Sequence, residues 1–371
     1  MLTRLYATNY RCLVNFELKP TRKQLLIGLN GSGKTTALDV LALLRDFAAR
    51  GLPCEERFVG RTKTAWQDVA EQRFEIEVQG NGGTYLYTLV VDEWPHPIRP
   101  RVTLETLEFD KKPLFRFQGG RIGLFNDSQR PSPSVEFHFD WHRSGLAAVD
   151  TGRQDNRKLT WFKQWLGRLT HVQINPWAMS ARSEREARDL SRDMGNFADW
   201  YRHLRQESGN AVYEAMAALR EFIPGLESLD AKEAGLDVRV VQAAIRSPKG
   251  KIAETAFSEL SEGQRALIAL YMLAYCAVLP DSTLLIDEPD NFVALAEIQP
   301  WLVKLLDRVD EQNAQVMLVS HHPELLDQLA GSGGILFERP GGAETRVSHF
   351  APPDDTGLRP SEIIARGWEG G

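Results

Sequence analysis

Gln24-Leu25-Leu26-Ile27-Gly28-Leu29-Asn30-Gly31-Ser32-Gly33-Lys34-Thr35 begins as a short apolar run and ends in a glycine-rich loop closed by Lys-Thr. From Lys34 to Arg50 the apolar residues Leu38, Leu41, Leu44 and Ala48 fall on one helical face, with Gly51 and Pro53 as the stop. Strand, glycine loop and helix in that order are the context in which G-x-x-x-x-G-K-[ST] cradles phosphate. Glycines let backbone N–H groups curl around phosphate oxygens without a Cβ in the way. The helix N-terminus behind them favours negative charge. Lys34 is expected to neutralise the β- and γ-phosphates, and the Thr35 hydroxyl to ligate Mg²⁺. Asn30, Gly31, Ser32, Gly33 and Thr36 complete the expected phosphate-binding set.

Three further segments bear on the same chemistry. Leu284-Leu285-Ile286-Asp287-Glu288 reads as a buried parallel strand ending in two acids, at the strand end where α/β sheets bind ligands. Asp287 is expected in the Mg²⁺ shell, and Glu288 to accept a proton from the attacking water. Leu260-Ser261-Glu262-Gly263-Gln264 opens a helix. Ser261 with Gln264 fits a capping box; equally, a Ser hydroxyl and the bare backbone of Gly263 at a helix N-terminus can grip a γ-phosphate, together with Gln264, across an interface. His321 and His322 follow the apolar strand Val316-Met317-Leu318-Val319 and precede Pro323. One of them is expected to hydrogen-bond the γ-phosphate; the other reading is a histidine that caps the next helix.

The composition sets bounds. Of 371 residues, 43% are hydrophobic and 25% charged, which fits a globular chain with a large core. The formal net charge of −6 gives no global attraction to nucleic acid or anionic membrane, yet leaves room for a local basic patch. Cys12, Cys54 and Cys276 are odd in number and widely spaced, which excludes a disulfide framework or metal knuckle and fits a reducing cytosol. Met1-Leu2-Thr3-Arg4-Leu5-Tyr6 has no apolar h-region, so no signal peptide is expected. The longest apolar run, Ala266 to Leu279, falls short of the ~20 residues a bilayer needs and reads as a buried helix.

Between the motifs the patterning changes twice. From about Phe74 to Asp140, stretches such as Phe74-Glu75-Ile76-Glu77-Val78 alternate, with turns at Asn81-Gly82-Gly83 and Gly119-Gly120, so a mostly antiparallel sheet is expected. Met179 to Phe222 reads as helix-rich, with anchors at Phe197, Trp200, Leu204, Tyr213, Met216 and Leu219. The expected fold is α/β, with parallel strand–helix alternation at both ends, a β-rich lobe and a helical lobe. The expected division is 1–178 for a nucleotide-binding lobe, 179–255 for a helical lobe, and 256–371 for a second lobe carrying the later motifs.

The order of these motifs resembles the ABC-type ATPases, a class of P-loop NTPases, and within them the SMC/RecF/OLD-related branch of compact bacterial AAA-family ATP-binding proteins. Asn9-Tyr10-Arg11-Cys12 is similar to that branch's Asn-Phe-Arg-Ser element, so the resemblance implies that Arg11 contacts nucleotide phosphate. Asp287-Glu288-Pro289-Asp290-Asn291 and Ser320-His321-His322-Pro323 resemble its Asp-Glu-Pro-Glu-Asn and Thr-His-Ser-Pro segments, which makes His321 the switch histidine. The similarity covers roughly 1–50 and 255–340. It implies a Mg²⁺-dependent ATPase that dimerises around ATP, with Ser261, Gly263 and Gln264 serving a partner's nucleotide. Position 294, where relatives often carry Asp or His, is Ala294 here. Gln173 is the candidate for the glutamine that senses Mg²⁺, its other reading being an ordinary strand residue. The stretch between Gln173 and the signature segment, Leu260 to Gln264, is too short for a long coiled coil, and no acidic cluster beyond His321 suits a metal-dependent nuclease.

Three functions follow: a cytoplasmic homodimeric ATPase coupled to double-stranded DNA or to a separately encoded effector, in repair or anti-phage defence; a nucleotide-dependent scaffold or sensor for a partner nuclease or toxin; and the energy subunit of a transporter. The Asn9-Tyr10-Arg11 element and the long span from Lys34 to Gln173 argue against the last, and no membrane partner is expected. Arg182, Arg185, Arg188, Arg192, Arg202 and Arg205 recur at near-helical spacing among Glu184, Glu186, Asp189 and Asp193. This fits a solvated face or a surface for DNA or a partner.

Overall fold

The computed structural model describes residues 1–58, 62–95, 98–127, 131–152, 154–351 and 357–367. The chain divides into two compact units.

The first unit comprises Met1–Arg22, Leu26–Leu169 and Ile335–His349. Its strands β1 (Leu2–Thr8), β2 (Phe16–Leu18), β4 (Gln72–Gly80), β5 (Gly83–Pro95), β6 (Ile98–Phe109), β7 (Lys112–Gln118), β8 (Arg121–Leu124) and β9 (Val135–His138) form an eight-stranded sheet. The order is β2-β1-β4-β5-β6-β7-β8-β9, and every pairing is antiparallel. Strand β3 (Lys23–Ile27) contributes its last two residues to this unit and Lys23–Leu25 to the second. The register Leu5↔Ile76, Ile76↔Tyr87, Tyr87↔Leu107 and Leu107↔Phe115 carries one buried row across five strands. This is the outcome of period-two alternation, which puts one side chain in two on the covered face. Helix Arg157–Gly167 covers that face: Phe162 lies 5.7 Å from Tyr85 and 5.6 Å from Tyr87, and Trp161 stacks on Tyr85 at 5.1 Å. Helix Lys34–Leu44, extended by a π turn at Arg45–Ala49, buries Leu38, Leu41, Leu44 and Ala48. Its far end is tied to the sheet through the series Phe47, Phe58 and Phe74.

Glu105 on β6 is fully buried under this layer. Its carboxylate accepts from Tyr87 OH at 2.8 Å, Ser144 Oγ at 2.6 Å, and the backbone N–H groups of Gly145 at 2.8 Å and Leu146 at 3.3 Å. Burial pushes its carboxyl above the ordinary carboxylate range, while the hydrogen bonds pull the other way. Glu105→Ala leaves those donors unpaired and is expected to cost about 3 kcal/mol of stability in a urea melt. The native state then holds the proton more tightly than the unfolded chain. Stability from this group is therefore full below the ordinary carboxylate value and is lost as pH rises through the raised one. Glu105→Gln should lack that pH slope.

The second unit comprises Lys23–Leu25, Thr170–Gly334 and Phe350–Gly371. Strands β10 (Thr170–Gln173), β15 (Thr283–Asp287) and β16 (Gln315–Val319) run parallel in that order, with Gln173↔Asp287 and Asp287↔Val319 in register. Every residue of β15 and β16 is buried, as expected of strands covered on both faces. Helix Glu262–Met272 and the π turn Leu273–Ala277 take in the long apolar run as far as Ala277, and every residue from Arg265 to Ala274 is buried. Helix Leu295–Glu311 buries Ile298, Trp301, Leu302, Leu305 and Val309, and Trp301 Nε1 donates to Leu270 O at 2.9 Å. Among the described residues no helix is long and apolar enough to cross a membrane.

Residues 179–255 differ from their helical expectation. Helices Phe197–Glu207 and Gly209–Leu219 form, and Phe197 of the first stacks on Phe257 at 4.6 Å. Residues 179–196 are mostly irregular, with only the short strand β11 (Arg182–Ser183). Beyond the helices, β12 (Leu226–Gly235), β13 (Val238–Arg246) and β14 (Ile252–Ala256) join β11 in a second sheet. Ser180 Oγ donates to Arg182 O at 3.0 Å, and Ser183 Oγ to Arg185 O at 2.9 Å. Asp193 accepts from Ser191 Oγ and Gly195 N. Such short-range bonds compete with helical ones and explain why arginines at helical spacing stand on a loop. The chain re-enters the first unit through β17 (Gly334–Glu338), whose residues from Ile335 pair antiparallel with β18 (Arg346–His349).

Candidate nucleotide site

The phosphate loop lies in the first unit. Gly28 and Gly33 have φ of 136° and 106°, a region that side chains disfavour. A Cβ at Gly28 would strike Phe337 O, and one at Gly33 would strike Thr345 Oγ1. Lys34 is 6% exposed; its Nζ donates to Gly28 O and, at 3.0 Å, to Leu29 O. Thr35 and Thr36 lie in the first turn of helix Lys34–Leu44, half-buried, while Asn30 and Gly31 are exposed at the loop crest. Ser32 Oγ is buried with no hydrogen-bond partner among the described residues. A glycine cradle, a buried ammonium and an orphaned hydroxyl are a donor set that suits phosphate oxygens.

The Asn9-Tyr10-Arg11-Cys12 element belongs to the same unit. Asn9 is buried, with φ of 58°. Its Nδ2 donates to Val69 O at 2.8 Å and Glu71 O at 2.9 Å, and its Oδ1 accepts from Thr64 N at 3.1 Å. Asn9 thereby holds the turn that presents Arg11. The Arg11 guanidinium pairs with Asp39 at 2.5 Å and lies over the Tyr10 ring at 5.3 Å. Thr345 is a brace that no local signal marks. It donates its N–H to Cys12 O at 2.9 Å and its Oγ1–H to Ser32 O at 2.8 Å, joining the arginine element to the phosphate loop.

The acidic strand end lies in the second unit. Asp287 ends β15 and is 3% exposed. Glu288 follows with φ of 52°, its N–H bonded to Val319 O at 2.9 Å. This left-handed residue turns the chain out of the strand. Asn291 Nδ2 donates to Glu288 Oε2 at 2.7 Å, an orientation that the sequence reading did not assign. Asp290 accepts from Ser320 Oγ at 2.6 Å, and Ser320 Oγ accepts from His322 N at 2.9 Å. His322 Nδ1 accepts from Glu324 N at 3.2 Å and so caps helix Pro323–Gly333. The capping reading is met by His322, and His321 lies exposed beside it. Gln173 faces Asp287 in the ladder, and its N–H donates to Arg192 O at 2.7 Å.

At the signature, Ser261 Oγ accepts from Gln264 N at 3.2 Å and Gln264 Oε1 accepts from Ser261 N at 3.1 Å. The capping box is therefore formed, which fixes the helix start and leaves Ser261 exposed. A Cβ at Gly263 would meet Phe292 O at 3.0 Å, so the loop after Asp290 packs closely on this glycine.

The model of one family, described as "AAA domain, putative AbiEii toxin, Type IV TA system", matches residues 25–327, well over half of the chain. The chain belongs to this AAA family. Among solved structures, the SMC head domain from Thermotoga maritima matches at 13% identity and a TM-score of 0.50, covering 95% of this chain and 99% of that one. At that identity the likeness speaks for the fold. No curated protein matches by sequence. This AAA-family chain is therefore an AAA-type P-loop ATPase domain by family and SMC-head-like in fold, a mixed α/β architecture.

Proposed function

We propose that the chain hydrolyses ATP, that two copies close around the nucleotide, and that closure is coupled to double-stranded DNA or to a separately encoded effector. The observation that carries this reading is the acidic pair. Buried Asp287 ends a parallel strand, and Glu288 next to it has its carboxylate oriented by Asn291. Thr35 and Asp287 would hold Mg²⁺, with Gln173 beside Asp287, and the ion would neutralise charge on the β- and γ-phosphates. Lys34 and Arg11 would add positive charge along the phosphates, and backbone N–H groups from Asn30 to Thr36 would bind their oxygens. Glu288 would take a proton from the attacking water, and His321 would bond the γ-phosphate. Ser261, Gly263 and Gln264 of a second copy would complete the site.

The family description names a toxin and a toxin–antitoxin system. That wording favours coupling to a separately encoded effector as the second reading, with the chain as a nucleotide-dependent scaffold or sensor. Steady-state turnover with and without double-stranded DNA distinguishes the two. If DNA is the partner, DNA raises turnover and added salt abolishes the gain. Turnover indifferent to DNA at low salt contradicts DNA coupling and points to a protein partner.

A further inference from the structure

The arginines on and beside the 179–196 loop are not equivalent. Arg182 pairs with Glu184 at 3.0 Å, and Arg202 with Glu186 at 3.5 Å, both on the surface. Arg192 instead directs its Nη2 to Asp287 Oδ2 at 3.9 Å. The Asp287 side chain is 4% exposed and that of Arg192 is 44% exposed, so the guanidinium reaches a buried carboxylate from open solvent. The backbone of Arg192 is held separately. Its carbonyl accepts from Gln173 N at 2.7 Å, and the following turn is closed by Asp193 and by Asn196 Oδ1, which accepts from Ser191 N at 2.8 Å. The loop at Arg192 is thus held by backbone and neighbouring side-chain bonds that do not involve its guanidinium.

We propose that Arg192 is a positioning residue that contends with a divalent cation for Asp287. This rests on the reading of Asp287 as the Mg²⁺ ligand. Two cations at one nearly buried carboxylate repel each other, because little water screens them. A cation on Asp287 therefore displaces the guanidinium outward, and Arg192 raises the Mg²⁺ concentration at which the site fills. Because its outer end is solvated, the competition is of modest size.

The test is binding of a fluorescent ATP analogue to the full chain while Mg²⁺ is varied, a readout independent of turnover. Arg192→Ala is expected to lower the Mg²⁺ midpoint by about threefold and to leave affinity in the absence of Mg²⁺ unchanged. Arg192→Lys, which returns a cation, restores the wild-type midpoint. An unchanged or raised midpoint in Arg192→Ala overturns the proposal. So does a loss of Mg²⁺-free affinity, which would make Arg192 a phosphate contact. Asp287→Asn separates the two levels of the argument and is expected to raise the midpoint at least about tenfold. If it does so while Arg192→Ala has no effect, only the Arg192 proposal falls. If Asp287→Asn leaves the midpoint unchanged, the reading of Asp287 falls and takes the proposal with it.

Discussion

Glu288→Gln is expected to cut ATP turnover by about 100-fold or more while nucleotide still binds, because general-base catalysis contributes on the order of 10²–10⁴ in rate. The substitution keeps size and shape. An amide oxygen can still accept from Asn291 Nδ2, which bonds Glu288 Oε2 at 2.7 Å, and the left-handed backbone of Glu288 is unaltered. What is lost is an oxygen able to take up a proton. Without hydrolysis the closed state has no exit, so the variant should accumulate as an ATP-bound dimer, seen as a doubling of mass in light scattering. Turnover at the wild-type rate would remove Glu288 from the mechanism. Asn291→Ala, which only releases the carboxylate, should have a smaller effect, on the rate rather than on nucleotide affinity.

Lys34→Ala is the second large effect, and it acts on binding. The ammonium is almost wholly buried among loop carbonyls, a position that makes a charge-assisted bond to phosphate strong. Hydrogen bonds to charged groups are worth about 1.5–3 kcal/mol, so ATP affinity should fall by roughly 10- to 100-fold. Lys34→Arg should not rescue it, because a planar guanidinium cannot occupy the space of a compact ammonium inside a loop this tight. Isothermal titration with ATP checks both variants, and an Ala variant that binds like wild type would contradict the role.

The phosphate loop was legible because its chemistry is local. Glycines, Lys34 and Thr35 must be consecutive for the backbone to curl, and the strand and helix on either side are short-range patterns. The acidic strand was legible for a related reason, since a fully buried parallel strand leaves a continuous apolar run before its acids. The antiparallel sheet showed through its alternation. Four features did not show. Thr345 braces the phosphate loop from the far end of the chain, and no local pattern records a contact of that range. The 179–196 segment carries arginines at helical spacing, but Ser180, Ser183, Ser191 and Asp193 bond nearby backbone or side-chain groups and prevent the helix. Strand β12 is exposed from Lys232 to Gly235 and no residue of β14 is buried, so neither presents a clean apolar row. Arg192 read as one of several surface charges because its partner Asp287 is distant in sequence.

The claim at the centre of this account is that one copy's signature serves the nucleotide of another, and a mixing experiment tests it directly. Lys34→Ala lacks a working phosphate loop, and Ser261→Arg blocks the exposed helix start with a bulky charge. Each alone should be inactive. In a mixed dimer one site carries both lesions and the other carries neither, so combining the two inactive proteins is expected to restore ATP turnover. Mixtures that stay inactive at concentrations where the wild-type chain dimerises would contradict a shared site.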